Sequence, residues 1–203
     1  MARTAGRKRD HVAHVIEGML VVGALLFVTL AENAGAADQK DDAGARAAFQ
    51  AAYAVLMHPR CMHCHPAGDI PLQGDDNRQH AQSVKRGPDG KGKYGMKCGA
   101  CHQAANLPGA DMPPGVSSDW HMPPPNMRMV FEGKSPGALC RQLKDRRLNG
   151  RKTISGAIEH LEADPLVLWG WAPGDGRSTP TLSHADFVRK MQDWANKGAA
   201  CPE

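Results

Sequence analysis

A mainly α fold, small helices joined by long Pro/Gly-rich loops, is what this sequence predicts, and three observations predict it. Apolar residues recur at helical spacing in four separate runs, and no stretch alternates as a strand would. Aromatic residues make up only 5% of the 203, against 22 Gly and 15 Pro, so the chain would struggle to fill a sizeable core from its own side chains. Two stretches, Cys61-Met62-His63-Cys64-His65 and Cys98-Gly99-Ala100-Cys101-His102, repeat a Cys-x-x-Cys-His run, the attachment signature of c-type haem. Two covalent haems would add large flat apolar surfaces and make up the missing core. The helices and loops are therefore expected to wrap around them.

The spacing of the motif has a chemical reason. Two thiols three positions apart on one turn can each form a thioether to a porphyrin vinyl group, and the next residue points its imidazole at the iron. Cys61, Cys64, Cys98 and Cys101 are the expected haem thioethers, with His65 and His102 the proximal iron ligands. Zinc knuckles also use Cys-x-x-Cys, but the 33 residues between Cys64 and Cys98 exceed the usual separation of about 15–20. Of the six cysteines, Cys140 and Cys201 remain. An even remainder in an oxidising compartment suggests a disulfide, and closing that 61-residue loop is worth about 4 kcal/mol on the chain-entropy model.

The first 36 residues read as an export signal. Arg3, Arg7, Lys8 and Arg9 form a basic start, Met19 to Leu30 an apolar run, and Ala34-Gly35-Ala36 a cleavage site. The alternative is an uncleaved anchor, against which His14 and Glu17 interrupt the apolar stretch. Residues 37–203 then form one dihaem domain, with 21 basic against 18 acidic residues. The charges are interspersed, which argues against a nucleic-acid partner. Export to the periplasm suits c-type haem, which is attached outside the cytoplasm.

Ala43 to His58 is the first predicted helix, with Phe49, Tyr53, Leu56 and Met57 on one face for core or haem packing, and Pro59 ends it. Residues 66–92 read as loop with at most a short helical turn, and 107–125, dense in Pro and Gly, as a segment ordered by what it touches. Three helices follow. Ser135 and Pro136 open the first, which runs through Leu139, Leu143 and Leu148 to a stop at Gly150. Ile154, Ile158 and Leu161 mark the second, ended by Pro165. A turn-rich link carries Trp169 and Trp171, expected to cover a haem or the core. Ser183-x-x-Asp186 caps the last helix, whose stripe is Phe187, Met191 and Trp194.

The layout resembles a c-type cytochrome: a helix delivers the chain to Cys-x-x-Cys-His and a terminal helix packs back. Several stretches, CMHCHPAGDIPLQGDDNRQHAQ, CHQAANLPGADMPPG, WHMPPPNMRMVFEGKSP, LCRQLKD and DPLVLWGWAPGDGRSTP, are similar to small bacterial dihaem proteins often labelled isoquinoline 1-oxidoreductase subunits. The resemblance covers about residues 43–203. It implies a cytochrome c-like fold and an electron-removing haem subunit, with redox partners on either side: a donor oxidoreductase such as a molybdenum hydroxylase, and a downstream acceptor. Nothing in the chain itself resembles a molybdopterin-binding protein.

Monohaem relatives place a distal Met-Pro shortly before the terminal helix, where this chain reads WAPGDGRSTPT. The distal ligands therefore come from elsewhere, or one iron is open. His80 and His121 are the first expectations, then Met112, which sits on stiff backbone before Pro113. His160, Met122, Met127 and Met129 are further candidates, and His63 is too near the first motif to reach round. No acid–base or nucleophile constellation is present, so single-electron transfer is the expected function. The alternative is a peroxidase-like haem enzyme or sensor with one open iron.

Overall fold

The structure, a computed structural model, describes residues 40–203. The export segment expected over 1–36, and the choice between cleavage and anchoring, lie outside the described residues. Residues 41–203 form one unit, mainly α, as the periodicity predicts. Among the described residues no helix is long and apolar enough to cross a membrane.

Helix α1 (Asp42–Leu56) starts because the Asp41 carboxylate accepts from the Gly44 N–H at 2.8 Å. Its inner face carries Ala45, Ala48, Phe49, Ala52, Val55 and Leu56, all buried. The alanines let the terminal helix α6 (His184–Asn196) approach closely, and Phe49 meets Trp194 with centroids 5.2 Å apart. At the start of α6 the Ser183 hydroxyl accepts from the Asp186 N–H at 3.1 Å and donates to its carboxylate at 2.6 Å. Helices α3 (Pro136–Lys144) and α4 (Ile154–Ala163) complete this core through Leu139, Leu143, Ile158 and Leu161. Cys140, fully buried on α3, is bonded to Cys201, tying the C-terminal tail to the core.

Two helix boundaries and one short strand pair differ from the periodicity. The first helix stops at Leu56 because Pro59 drives His58 into extended backbone (ψ 145°), where it caps the short α2 (Pro59–Met62) instead of ending α1. The helix expected to reach Leu148 stops at Lys144. Asp145 turns extended and accepts from the Arg147 N–H at 2.9 Å, which leaves Leu148 half exposed. A two-residue antiparallel pair, β1 (Leu72–Gln73) with β2 (Arg78–Gln79), appears where no strand was expected; two residues leave no alternation to read.

From Ala81 to Lys134 the chain has only 3₁₀ turns, the second motif among them (Cys98–Ala100). This segment is ordered by specific groups. Buried Arg86 donates to the carbonyls of Pro123 and Gly68, and Gly90 (φ +80°) lies so close to the Met122 carbonyl that a Cβ would fall 2.0 Å from its oxygen. The last short helix, α5 (Pro165–Leu168), begins on Asp164, whose carboxylate accepts from the Leu166 N–H at 2.8 Å.

Candidate functional site

Pro59 at the first position of α2 keeps the chain helical through Cys61, and the His63 N–H continues the turn to the Pro59 carbonyl at 2.9 Å. Cys61 and Cys64, three residues apart, therefore come to the same side. Both line one cavity of about 370 Å³ together with His65, Leu56, His121 and His160. They stay partly accessible because what they face is that cavity, and burial pushes both thiols up to about 12. The Nδ1–H of His65 donates to the Met129 carbonyl at 2.7 Å, and Phe131 stacks on its ring at 4.0 Å. Burial holds the His65 imidazole down to about 4; the Met129 bond opposes this and nearby His160 adds to it.

The second motif repeats the arrangement on irregular backbone. The His102 N–H donates to the Cys98 carbonyl at 2.9 Å, closing the turn. Its Nδ1–H donates to the Pro114 carbonyl at 2.7 Å, and Trp120 stacks on its ring at 4.5 Å. Burial lowers the His102 pKa. Cys98 is half-buried and Cys101 exposed, so this site is open on one side. After burial, the charge of Cys98 is the next influence raising the Cys64 thiol. Trp120 meets Trp169 edge-on at 5.1 Å, and the Arg60 guanidinium, beside Cys61, lies over Trp169 at 5.9 Å.

Hydrogen bonding sorts the histidines. His63 and His184 spend Nε2 on backbone carbonyls, of Gly74 and Leu161. His58 uses both nitrogens, on the Arg60 N–H and the Ser178 hydroxyl. The remaining five spend Nδ1 and keep Nε2 without a partner among the described residues. His65 and His102 do so as above, His80 on the Ala81 carbonyl (2.6 Å), His121 on the Asp119 carbonyl (2.6 Å) and His160 on the Asp164 carboxylate (3.1 Å). An acceptor bonded to one ring nitrogen fixes the tautomer that offers the other to a metal.

These residues fit haem in three respects. At both motifs the thiols and a tautomer-fixed imidazole come from one turn. The His80 and His102 rings stand 6.2 Å apart, centre to centre, and two metal–imidazole bonds of about 2 Å, plus roughly 1 Å from each nitrogen to its ring centre, span about 6 Å. Arg60, which lines the cavity, has a buried Nε with no hydrogen-bond partner, a donor suited to a propionate carboxylate. No three His, Cys, Asp or Glu side chains converge as a metal-ion cage among the described residues.

Of the expected distal ligands, His80 lies beside His102, whereas His121 lines the cavity of the first motif. Met112 is 41% exposed and outside that cavity. Met122 is buried but also outside it, Met127 lines it, and Met129 gives its carbonyl to His65 and its sulfur to Gln142 (3.6 Å). Trp169 is buried and donates to Asn106 at 3.0 Å, while Trp171 donates to the Leu182 carbonyl. Sequence reasoning missed Arg60, Arg86, Phe131, Trp120, Asn106 and Asp164. The adjacency of Arg60 to Cys61 and the i,i+4 spacing of His160 and Asp164 offered signals; the others approach from distant positions. Comparison with known proteins adds no family: no family model, no curated protein and no solved structure matches this chain.

Proposed function

We propose that the chain is a periplasmic dihaem c-type cytochrome that carries single electrons, taking them from an oxidoreductase such as a molybdenum hydroxylase and passing them to a downstream acceptor. The observation that carries this reading is the repetition at both motifs of one arrangement: two cysteines and a histidine from a single turn, with Nδ1–H spent on a backbone carbonyl at 2.7 Å. The similarity to bacterial dihaem subunits agrees with it. Haem, when bound, supplies an iron that cycles between ferrous and ferric forms, at a potential set by ligands, burial and hydrogen bonds.

The chain's own residues have defined tasks in this reading. Cys61, Cys64, Cys98 and Cys101 anchor; His65 and His102 coordinate; the Met129 and Pro114 carbonyls hold each ring and raise its basicity. His80 is the distal partner at the second motif. The Arg60 guanidinium compensates carboxylate charge that would otherwise be buried unpaired. Trp169, 4% exposed, and Trp120 fill the space between the His102 ring and Arg60 and keep water from it. Redox protein partners, a donor oxidoreductase and a downstream acceptor, are expected, with membrane attachment only through the N-terminal segment if it is not cleaved.

The test is production in a host that exports the chain and attaches c-type haem. Denaturing electrophoresis with haem staining should give a stained band, and mass spectrometry should add two haems. A colourless protein whose thiols at Cys61, Cys64, Cys98 and Cys101 react with alkylating reagent overturns the reading.

A further inference from the structure

The geometry points to His160, oriented by Asp164, as the distal ligand of the haem held by Cys61, Cys64 and His65. This rests on the dihaem reading above and deepens it. Three features favour His160; His121 shares the first two, and the third belongs to His160 alone. It lines the same cavity as both thiols and His65. Its Nδ1 is 3.1 Å from the Asp164 carboxylate, leaving Nε2 as the unspent nitrogen. Both groups sit on regular structure: His160 in the last turn of α4, Asp164 as the cap of α5. A ligand on two packed helix ends is held more firmly than one on a loop.

The rival in the same cavity is His121. Its Nδ1–H goes to the carbonyl of Asp119, two residues back on irregular chain, and Asp119 is itself drawn to solvent-exposed Lys91 at 2.5 Å. The methionines are less suited: Met129 is committed to Gln142, and Met127 lies in a 3₁₀ turn (Pro125–Met127). With His80 opposite His102, this assignment closes both irons with histidine pairs, and it leaves no open position for peroxide. The carboxylate behind His160 strengthens that ligand and favours the ferric form.

The test uses the full dihaem protein and its spectra. Near-infrared magnetic circular dichroism should place both wild-type haems in the bis-histidine class. His160→Met should move half of that intensity to the histidine–methionine class, and His121→Met should leave it unchanged. An unchanged His160→Met spectrum, or conversion by His121→Met instead, overturns the assignment. Should His160→Met fail to accumulate, Asp164→Asn decides: the spectrum stays bis-histidine while one of the two midpoint potentials rises. Two unmoved potentials count against it. A dihaem protein failing these tests loses only this assignment, whereas a protein without covalent haem loses the cytochrome reading as well.

Discussion

Phe131 lies flat against the imidazole of His65, ring centres 4.0 Å apart and planes 8° apart, while its backbone N–H donates to the His65 carbonyl at 2.9 Å. One residue thus fixes the plane of the ring and the path of the chain that carries it. Trp120 does the first of these for His102, at 4.5 Å and 7°. His65 and His102 are therefore each held on one nitrogen and one face, and the unspent nitrogen of each has a defined direction.

Phe131 is 4% exposed, so Phe131→Ala leaves a cavity and should cost about 3–5 kcal/mol. Phe131→Leu, which retains most of the volume, should cost less. Denaturant unfolding measures the loss. On the proposed reading, Phe131→Leu also broadens the electron paramagnetic resonance of one haem, because the ring it backs can rotate. An equal stability loss with sharp, unmoved resonances would show that Phe131 only fills space.

Arg60 has a side chain 1% exposed, paired with Asp75 and with Nε unpartnered beside the cavity. Arg60→Met removes a buried positive charge next to Cys61. On the dihaem reading, redox titration should then show one midpoint potential falling and the other moving much less, since positive charge nearby favours the ferrous form. Equal shifts at both haems would place the guanidinium between them instead.

The four long helices were legible because each carries a wide apolar face: Phe49, Val55 and Leu56 on α1, or Phe187, Met191 and Trp194 on α6. The two Cys-x-x-Cys-His runs were legible because each is contiguous in the sequence. The groups packed around them were not. Phe131 reaches His65 from 66 positions away and Asn106 joins Trp169 to Gly115, pairings that leave no local pattern, whereas Asp164 stands four residues after His160, a spacing that could have been read. Leu148 fits the helical spacing yet lies outside, because the Asp145 turn competes with the helix for the same backbone groups.

The bond from Cys140 to Cys201 closes a 61-residue separation, and Cys140 is fully buried. The paired change Cys140→Ser with Cys201→Ser should lower stability by about 2–5 kcal/mol. It should also free the tail that gives its Cys201 carbonyl to Arg46 (3.2 Å) and its Ala199 carbonyl to Lys144 (2.7 Å). Amide exchange over 197–203 reports that release, and protection there as strong as in the wild type would mean that the hydrogen bonds alone hold the tail.

Arg147 and its own backbone N–H hold the Asp145 carboxyl down to about 2 from an ordinary 3.8. A depressed carboxylate pKa contributes stability that is present above pH 4 and is lost as the pH falls through 2. Carboxyl titration by NMR should find Asp145 still ionised at pH 3. Asp145→Asn should remove its share of the stability change between pH 4 and 2. Because the pair is exposed, the share is small; a carboxyl that titrates at the ordinary value would mean the Arg147 bonds do not persist in solution.

Gly115 occupies a crowded place behind His102. A Cβ there would fall 2.3 Å from the Gln103 carbonyl oxygen and 2.4 Å from that of Ala105, both rigid backbone groups. Its N–H donates to Asn106 at 3.0 Å, and the preceding Pro114 carbonyl holds the His102 ring. Gly115→Ala must therefore displace the segment that orients His102, while His65 is held by Met129 and Phe131 from elsewhere in the chain. On the dihaem reading, the variant should alter the low-spin resonance and lower the thermal retention of one haem, leaving the other as in the wild type. Both haems changing together would mean that the two motifs share one support, through Asn106 and Trp169. Neither changing would mean that the Pro114 carbonyl does not set the His102 ring.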